Sequence, residues 1–214
     1  MSCCRAVPCE EMFKPRMARR SLNRYRSRGL DRLDRAVLAA ASAGGVEGSE
    51  VLEIGGGIGA IQSELLDSGA RRGEIVELVS SWEPYAVELA RERGHGDSTT
   101  FRIADVLEEP ETVEQADVVV LNRVVCCSPD GVELARSAAR LTRRTLVLSY
   151  PRNAFWLRAG AWVMNGAFRA LGRSYRLFLH PRSALVAAAG AEGLTLEDEG
   201  RTFVWEYIGF RRLA

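Results

Sequence analysis

Long apolar runs are missing from this sequence: no stretch reaches the roughly 20 residues that a membrane-spanning helix needs. The N-terminus, residues 1–10, also lacks the apolar segment of a secretory signal. These absences predict a cytoplasmic protein with no transmembrane segment. CxxC pairs are missing too, so we expect no metal site, and a chain with a full apolar core does not need a disulfide framework. The five cysteines are Cys3, Cys4, Cys9, Cys126 and Cys127. We place the last two at a strand end near the active site.

Acidic residues are absent from Leu134 to Ala191, although the net charge of the whole chain is only +1. Ten arginines occupy that stretch, at positions 136, 140, 143, 144, 152, 158, 169, 173, 176 and 182. The segment from Lys14 to Arg35 is basic as well. Two interpretations stay open: solvated arginines on helix faces, or a surface that faces an anion such as a carboxylated or phosphorylated substrate or an anionic lipid surface. No nucleic-acid-binding module accompanies the arginines, so we expect no nucleic-acid partner.

Apolar and charged residues make up 47% and 27% of the 214 residues, which is ordinary for one globular domain. Short apolar strands alternate with helical patterns in the middle of the chain, and strands such as ADVVVL are apolar throughout. This order predicts an α/β fold with a Rossmann-like, doubly wound, mostly parallel sheet. The predicted strands are 51–54, 74–79, 99–103, 116–121 and 145–149. The predicted helices between them are 58–68, 82–93 and 132–141.

The two ends of the chain depart from that alternation. Helices predicted at 16–28 and 31–42 form an N-terminal basic cap, residues 1–44, before the main domain, residues 45–214. After the fifth strand we predict a helical lid insert, residues 151–181, rich in aromatic residues. A helix at 182–190 and strands at 194–197 and 202–210 follow, and the strands form a C-terminal antiparallel hairpin. A nicotinamide-binding Rossmann domain does not end in such a hairpin.

The strongest motif is VLEIGGGIG, residues 51–59, between a predicted strand and a predicted helix. Glycines allow the tight turn and let a ligand approach the backbone. Gly55, Gly57 and Ala60 also satisfy the dinucleotide pattern GxGxxG/A, so the glycines alone are ambiguous. Glu53 favours another ligand, because a carboxylate would repel a pyrophosphate but complements a cationic, sulfonium-containing amino acid.

Three further segments follow successive strands. Glu77 lies 18 residues after Gly59, near the spacing at which an acidic residue binds ribose hydroxyls. The alternatives are a surface glutamate at the sheet edge, or Glu83 in the following helix. Asp105 can accept the adenine amino group, or it can cap a helix. Asn122 and Arg123 follow the fourth strand, and ligands bind at the carboxyl ends of strands in such sheets.

Together these segments resemble the class I S-adenosylmethionine (SAM)-dependent methyltransferases over about residues 45–150, and more loosely over the hairpin. The resemblance implies SAM as cofactor, with Glu53 and the glycines around its methionine end. It also implies ribose at Glu77, and adenine at Asp105 with Val106. The implied cofactor-binding residues are Glu53, Gly55, Gly56, Gly57, Gly59, Glu77, Leu78, Asp105, Val106 and Asn122. The stretch from Asn122 to Asp130 is similar to a bacterial subgroup distantly related to magnesium-protoporphyrin O-methyltransferases.

Methyl transfer mainly requires alignment of acceptor and cofactor, and sometimes a base. The candidate catalytic residues are His180, Tyr150 and Arg123. The aromatic, arginine-rich insert favours a small apolar or aromatic acceptor. One hypothesis adds a carboxylate to this acceptor, and O-methylation is the preferred reaction. RNA or protein methylation and a nicotinamide-dependent oxidoreductase stay as alternatives. We expect a monomer or homodimer, and the sequence leaves peripheral membrane contact open.

Overall fold

A seven-stranded sheet forms the centre of the molecule, in a computed structural model that describes residues 6–213. The strand order is β3-β2-β1-β4-β5-β7-β6. Strands β1 to β5 pair in parallel, whereas β7 runs antiparallel to both β5 and β6. The strands are β1 Glu50–Ile54, β2 Arg72–Glu77, β3 Thr99–Ile103, β4 Ala116–Asn122, β5 Thr142–Pro151, β6 Leu194–Arg201 and β7 Trp205–Arg212. The predicted fold class is confirmed.

Eight helices of the described residues surround this sheet. They are α1 Ala6–Met12, α2 Pro15–Arg28, α3 Arg32–Ser42, α4 Ala60–Asp67, α5 Glu83–Glu92, α6 Gly131–Arg140, α7 Phe155–Ala170 and α8 Arg182–Ala191. Both faces of the sheet are covered, and strand β4 shows the consequence. Its residues alternate, with Val118 and Val120 in the core beneath α2, α3 and α4, and Val119 and Leu121 in the core beneath α6 and α8.

The order of the strands creates a crevice at one edge of the sheet. The chain moves outward from β1 through β2 to β3, then returns to the other side of β1 with β4. The connections therefore diverge between β1 and β4, where open α/β sheets bind ligands beyond the carboxyl ends of their strands. The segments that follow β1, β2, β3 and β4 meet at this edge.

Two parts of the chain differ from the predictions. Helix α1 was not predicted, because its seven residues are too few to show a helical pattern. The insert predicted to be helical over 151–181 is helical only from Phe155 to Ala170. Gly172, with φ of +68°, ends this helix in a left-handed conformation that favours glycine, and residues 173–181 are not helical.

Candidate cofactor pocket

A cavity of about 300 Å³ opens at the carboxyl ends of β1, β2 and β4. Its floor is the glycine loop after β1, and its roof is built from α1, α2 and the turn before α3. Nine of the ten predicted cofactor-binding residues line it: Glu53, Gly55, Gly56, Gly57, Glu77, Leu78, Asp105, Val106 and Asn122. Gly59 is the exception. A Cβ atom there would lie 2.5 Å from Cδ1 of Ile75, so this glycine lets α4 pack closely on β2.

The glycine loop needs glycine for two separate reasons. Gly55 has φ of +66°, a conformation that L residues rarely adopt. A Cβ atom at Gly55 would also approach Cγ2 of Val124 to 2.5 Å, so the turn after β4 packs directly on the loop. The loop therefore presents bare backbone to the cavity, and the N–H of Gly57 donates to Oε1 of Glu77 at 2.7 Å.

Two carboxyl groups are buried at the cavity. Oε2 of Glu53 accepts the backbone N–H of Gln62 at 3.2 Å, and Oε2 of Glu77 accepts that of Leu78 at 3.2 Å. Burial raises the pKa of Glu53 to about 8 and that of Glu77 to about 7. A bound cation or hydroxyl donor would favour the ionised forms. The pair is therefore suited to a ligand with an ammonium group and a diol.

The segment after β3 supplies a turn and an apolar wall. Oδ1 of Asp105 accepts the N–H of Leu107 at 2.9 Å, so this carboxylate also holds the local turn. Val106 is buried at the cavity. The ring of Trp82 lies against Gly57, about 3.5 Å from where a Cβ atom would stand. The cavity can thus enclose a flat ring beside Val106 and Trp82.

A polar network joins the tip of β4 to the roof. Nδ2 of Asn122 donates to Oδ1 of Asp34 at 2.8 Å, and Oγ of Ser149 donates to Oδ1 of Asn122 at 2.6 Å. The Arg123 guanidinium donates to Asp31 at 2.7 Å and pairs with Asp34 at 3.2 Å. Arg123 also has φ of +63°, which strains a non-glycine residue. Two roof carboxylates therefore hold the Arg123 side chain at the cavity wall.

The roof contributes residues that sequence reasoning missed, among them Cys9, Phe13 and Asp34. The ring centroids of Phe13 and Trp82 are 6.0 Å apart, so the roof touches the floor. Tyr25, which also lines the cavity, donates to Glu64 at 2.5 Å. The capping-box spacing of Asp31 and Asp34 could have located the start of α3, but nothing local shows that it meets β4.

The structure does not bring the three predicted catalytic side chains together. Only Arg123 lines the cavity. His180 is buried elsewhere, with Nε2 3.0 Å from the carbonyl oxygens of both Val125 and Ser128. Tyr150 is 1% exposed and lies in the core beneath α6 and α8. It was expected to follow β5, but the strand continues to Pro151, so its side chain points into that core.

The thiols near the cavity are free, and burial raises the pKa of Cys9 to about 12, which keeps it protonated. Cys127 also lines the cavity, and its Sγ lies 3.3 Å from the hydroxyl of Tyr175. Cys3 and Cys4 lie outside the described residues. Within residues 6–213 no group of three His, Cys, Asp or Glu side chains is placed to hold a metal ion.

The chain was compared with known protein families and with curated protein sequences. Residues 52–147 match a family model described as a methyltransferase domain. This stretch contains Glu53, the glycine loop, Glu77, Asp105 and Asn122. No curated protein sequence matches the chain.

Solved structures share the fold at low sequence identity. Magnesium protoporphyrin IX methyltransferase from Synechocystis PCC 6803, with bound S-adenosylhomocysteine (SAH), is 19% identical with a TM-score of 0.67, covering 85% of this chain and 82% of that one. An O-methyltransferase family protein from Burkholderia thailandensis is 18% identical with a TM-score of 0.69, covering 92% of this chain and 60% of that one. The N-methyltransferase NodS from Bradyrhizobium japonicum WM9, with bound SAH, is 16% identical with a TM-score of 0.60, covering 91% and 98%.

Proposed function

We propose that this chain, whose core is a class I SAM-dependent methyltransferase domain, methylates an oxygen of a small apolar or aromatic acceptor. The observation that carries the proposal is the roofed cavity, in which α1 and α2 cover the glycine loop. An acceptor must come under this roof, which suits a small molecule better than a folded RNA or protein. The neighbour named for magnesium protoporphyrin IX supports a small acceptor.

The residues present fit SAM. Glu53 is suited to the ammonium group of its methionine end, because a buried carboxylate gains most from a cationic partner. Glu77 is suited to the ribose hydroxyls, and Asp105 with Val106 to the adenine. Bound in the pocket, SAM supplies an electrophilic methyl group. These assignments are proposals that follow from burial, donor and acceptor chemistry, and position around one cavity.

The wall beyond the cofactor residues indicates the character of the acceptor. Phe13, Val124 and Cys127 form an apolar part of this wall. Arg24 and Arg123 add two guanidinium groups, which pair with Asp31 at 2.8 and 2.7 Å. An aromatic acceptor with an acidic oxygen would find both apolar contact and guanidinium N–H donors on this side of the cavity.

The same wall favours an acceptor that needs little help to lose a proton. Among the described lining residues there is no histidine or lysine, and the Cys9 thiol stays protonated. Asp34 is engaged by Asn122 and Arg123. A carboxylate or an acidic phenol is already a nucleophile near neutral pH, so the chain would act chiefly by alignment and by exclusion of water.

The test is SAH formation by the purified chain with SAM and three sets of acceptors: aromatic carboxylic acids with acidic phenols, primary amines, and bulk RNA or protein. We expect turnover in the first set and none above background in the others. Methylation confined to RNA or protein would overturn the proposal, and so would a preference for amines. Arg24→Gln, compared with the exposed control Arg19→Gln, should raise KM for acids and leave SAM affinity unchanged.

A further inference from the structure

Helix α7 carries an apolar stripe that the rest of the described chain leaves uncovered. Of its 16 residues only Ala161 is buried. Phe155 is 83% exposed, Trp162 79% and Val163 61%. These large residues share one helix face with the exposed small residues Ala159, Gly166 and Ala170, at spacings of three and four. A helix this apolar normally has its faces buried, so a partner for the outer face is missing.

The stripe extends beyond α7. Phe203, in the turn between β6 and β7, is 75% exposed and stacks on Trp156 with ring centroids 4.7 Å apart. Leu171, at the end of α7, is 71% exposed. We call the surface formed by Phe155, Trp162, Val163, Leu171 and Phe203 the aromatic face. Single exposed apolar residues are ordinary, but a contiguous set of large ones marks an interaction surface.

Arginines with no ion-pair partner border the aromatic face. Arg158 and Arg169 are three helical turns apart on one edge of α7, and Arg173 follows its end. All three are exposed and make no ion pair within residues 6–213. Five of the seven other arginines in the acid-free stretch are ion-paired, whereas Arg144 and Arg176 donate to carbonyl or hydroxyl oxygens. Ion pairs join Arg136 to Glu133, Arg140 to Glu192, Arg143 to Glu50, Arg152 to Glu206 and Arg182 to Glu199. Three exposed arginines that no carboxylate of the described residues neutralises therefore border the apolar surface.

We propose that the aromatic face rests on an anionic lipid surface, with α7 lying in the plane of the membrane interface. Aromatic and aliphatic side chains on one side and arginines at the edge are what an interfacial helix requires. Each arginine near an anionic leaflet adds electrostatic attraction, and its long stem lets the charge stay at headgroup level. No described helix is long and apolar enough to cross a bilayer, so the contact is made by one surface of the protein.

The charge around the aromatic face favours an anionic lipid surface over a second copy of the chain as its partner. An antiparallel two-fold pairing of aromatic faces would bring Arg158, Arg169 and Arg173 of one copy close to the same arginines of the other, with no acidic residue on α7 and, of the described residues, only Glu11, bonded to Ser174, beside its end. That arrangement is repulsive, whereas lipid phosphates would neutralise the same groups. The inference does not depend on which acceptor the enzyme methylates.

The test is co-sedimentation of the full chain with vesicles of phosphatidylcholine, with and without phosphatidylglycerol. We expect binding to the anionic vesicles only, weakened by salt. Phe155→Ser/Trp162→Ser should reduce the partition coefficient by about tenfold or more, and Arg169→Glu/Arg173→Glu should do the same. These side chains are exposed, so both variants should keep the fold, checked by circular dichroism and by SAH binding. The matched control is Arg19→Glu/Arg91→Glu, an equal change of charge on exposed residues of α2 and α5.

Three results would overturn the proposal. One is no binding to vesicles of either composition. The second is equal loss of binding in the α2 and α5 control, which would make the attraction a matter of net charge alone. The third is a dimer in analytical ultracentrifugation that Phe155→Ser/Trp162→Ser dissociates, which would assign the aromatic face to a second copy.

Discussion

At the bottom of the cavity, Glu53 and Glu77 lie where water cannot fully solvate them. Burial of a carboxylate without a cationic partner costs stability, which the raised pKa of each group expresses. Such a cost is retained where it serves ligand binding, because a ligand's ammonium group and hydroxyls can compensate for lost solvation. The two groups should therefore trade stability of the free protein against affinity for the cofactor.

Glu77→Ala should weaken SAM and SAH binding by about 100-fold, since two hydrogen bonds to a charged acceptor are lost at about 1.5 kcal/mol each. Isothermal titration calorimetry measures this directly, with NAD as a ligand that should not bind. The control is Glu83→Ala, an exposed glutamate six residues along the chain. Equal effects of the two substitutions would remove Glu77 from the cofactor site.

Glu53→Gln should stabilise the ligand-free protein at alkaline pH while it abolishes SAM binding. The pKa of Glu53 is raised from 4.5 to about 8, so between those pH values the folded form holds a proton that the unfolded form has released. The free energy of unfolding therefore falls as pH rises through this window. At about 1.4 kcal/mol per pKa unit, the gain from Gln is on the order of a few kcal/mol near pH 8.5 and close to zero below pH 4.5.

Thermal unfolding of the wild type, Glu53→Gln and the control Glu83→Gln across that pH range measures the effect. The Tm of the Glu53 variant should exceed that of the wild type at high pH, and the control should follow the wild type. A variant that is less stable than the wild type at every pH would show that Glu53 stabilises the fold instead of destabilising it.

The sequence indicated the position of a side chain where that position follows from a strand end, and it did not indicate the position of Tyr150, which lies in the core beneath α6 and α8. Glu53 and Glu77 sit within or at the end of strands whose carboxyl ends face the cavity, so their position in the chain indicated their place. Tyr150 also lies near a strand end, but β5 continues two residues beyond the predicted end, to Pro151, and the side chain of Tyr150 lies in the core.

At the scale of elements, the connection between roof and floor rests on the start of α3. The Asp31 side chain accepts the N–H groups of Leu33 and Asp34, and it also pairs with Arg24 and Arg123. Burial opposes its ionisation, but the hydrogen bonds from Asp34, Arg24 and Arg123 outweigh burial and hold the pKa of Asp31 below its usual value. One carboxylate thus caps a helix and joins the roof to the segment after β4.

Asp31→Ala should lower the free energy of unfolding by about 1–2 kcal/mol at pH 7, the usual cost of a lost N-cap. It should also speed SAH dissociation, because the roof loses its link to Arg123. Urea unfolding and stopped-flow fluorescence measure the two effects. Asp97→Ala, at an exposed aspartate in a single turn, is the control. A stability loss with unchanged dissociation would limit Asp31 to capping.

Helices and strands with a clear hydrophobic pattern were predictable from the sequence, but the tertiary contacts between them were not. The alternation of strands and helices predicted the parallel part of the sheet. The antiparallel hairpin predicted at the C-terminal end corresponds to β6 and β7. The contact of Asn122 with Asp34 joins residues 88 positions apart, so no local pattern contains it. The roof owes its place to packing between distant segments, as the burial of Leu22 and Leu33 in one core with Val51 shows.

For the molecule as a whole, the roof and floor must separate and rejoin if the cofactor is to enter a cavity that α1 and α2 cover. Hydrogen exchange should reveal this, because a ligand that binds only the closed form suppresses local opening. With saturating SAH, amides of residues 9–30 and 55–58 should exchange about tenfold or more slowly. Those of the edge strand β6, on the far side of the sheet, should be unchanged.

Glu77→Ala at the same SAH concentration should show no added protection, which ties the effect to occupancy of the cavity. Protection of residues 55–58 alone, without α1 and α2, would mean that the roof moves independently of the cofactor.

The aromatic face adds a second ligand to the same experiment. Anionic vesicles should protect α7 and the turn containing Phe203 whether or not SAH is present, because the two surfaces share no residue. If vesicles also slowed exchange in α1 and α2, membrane contact and closure of the pocket would be one coupled equilibrium.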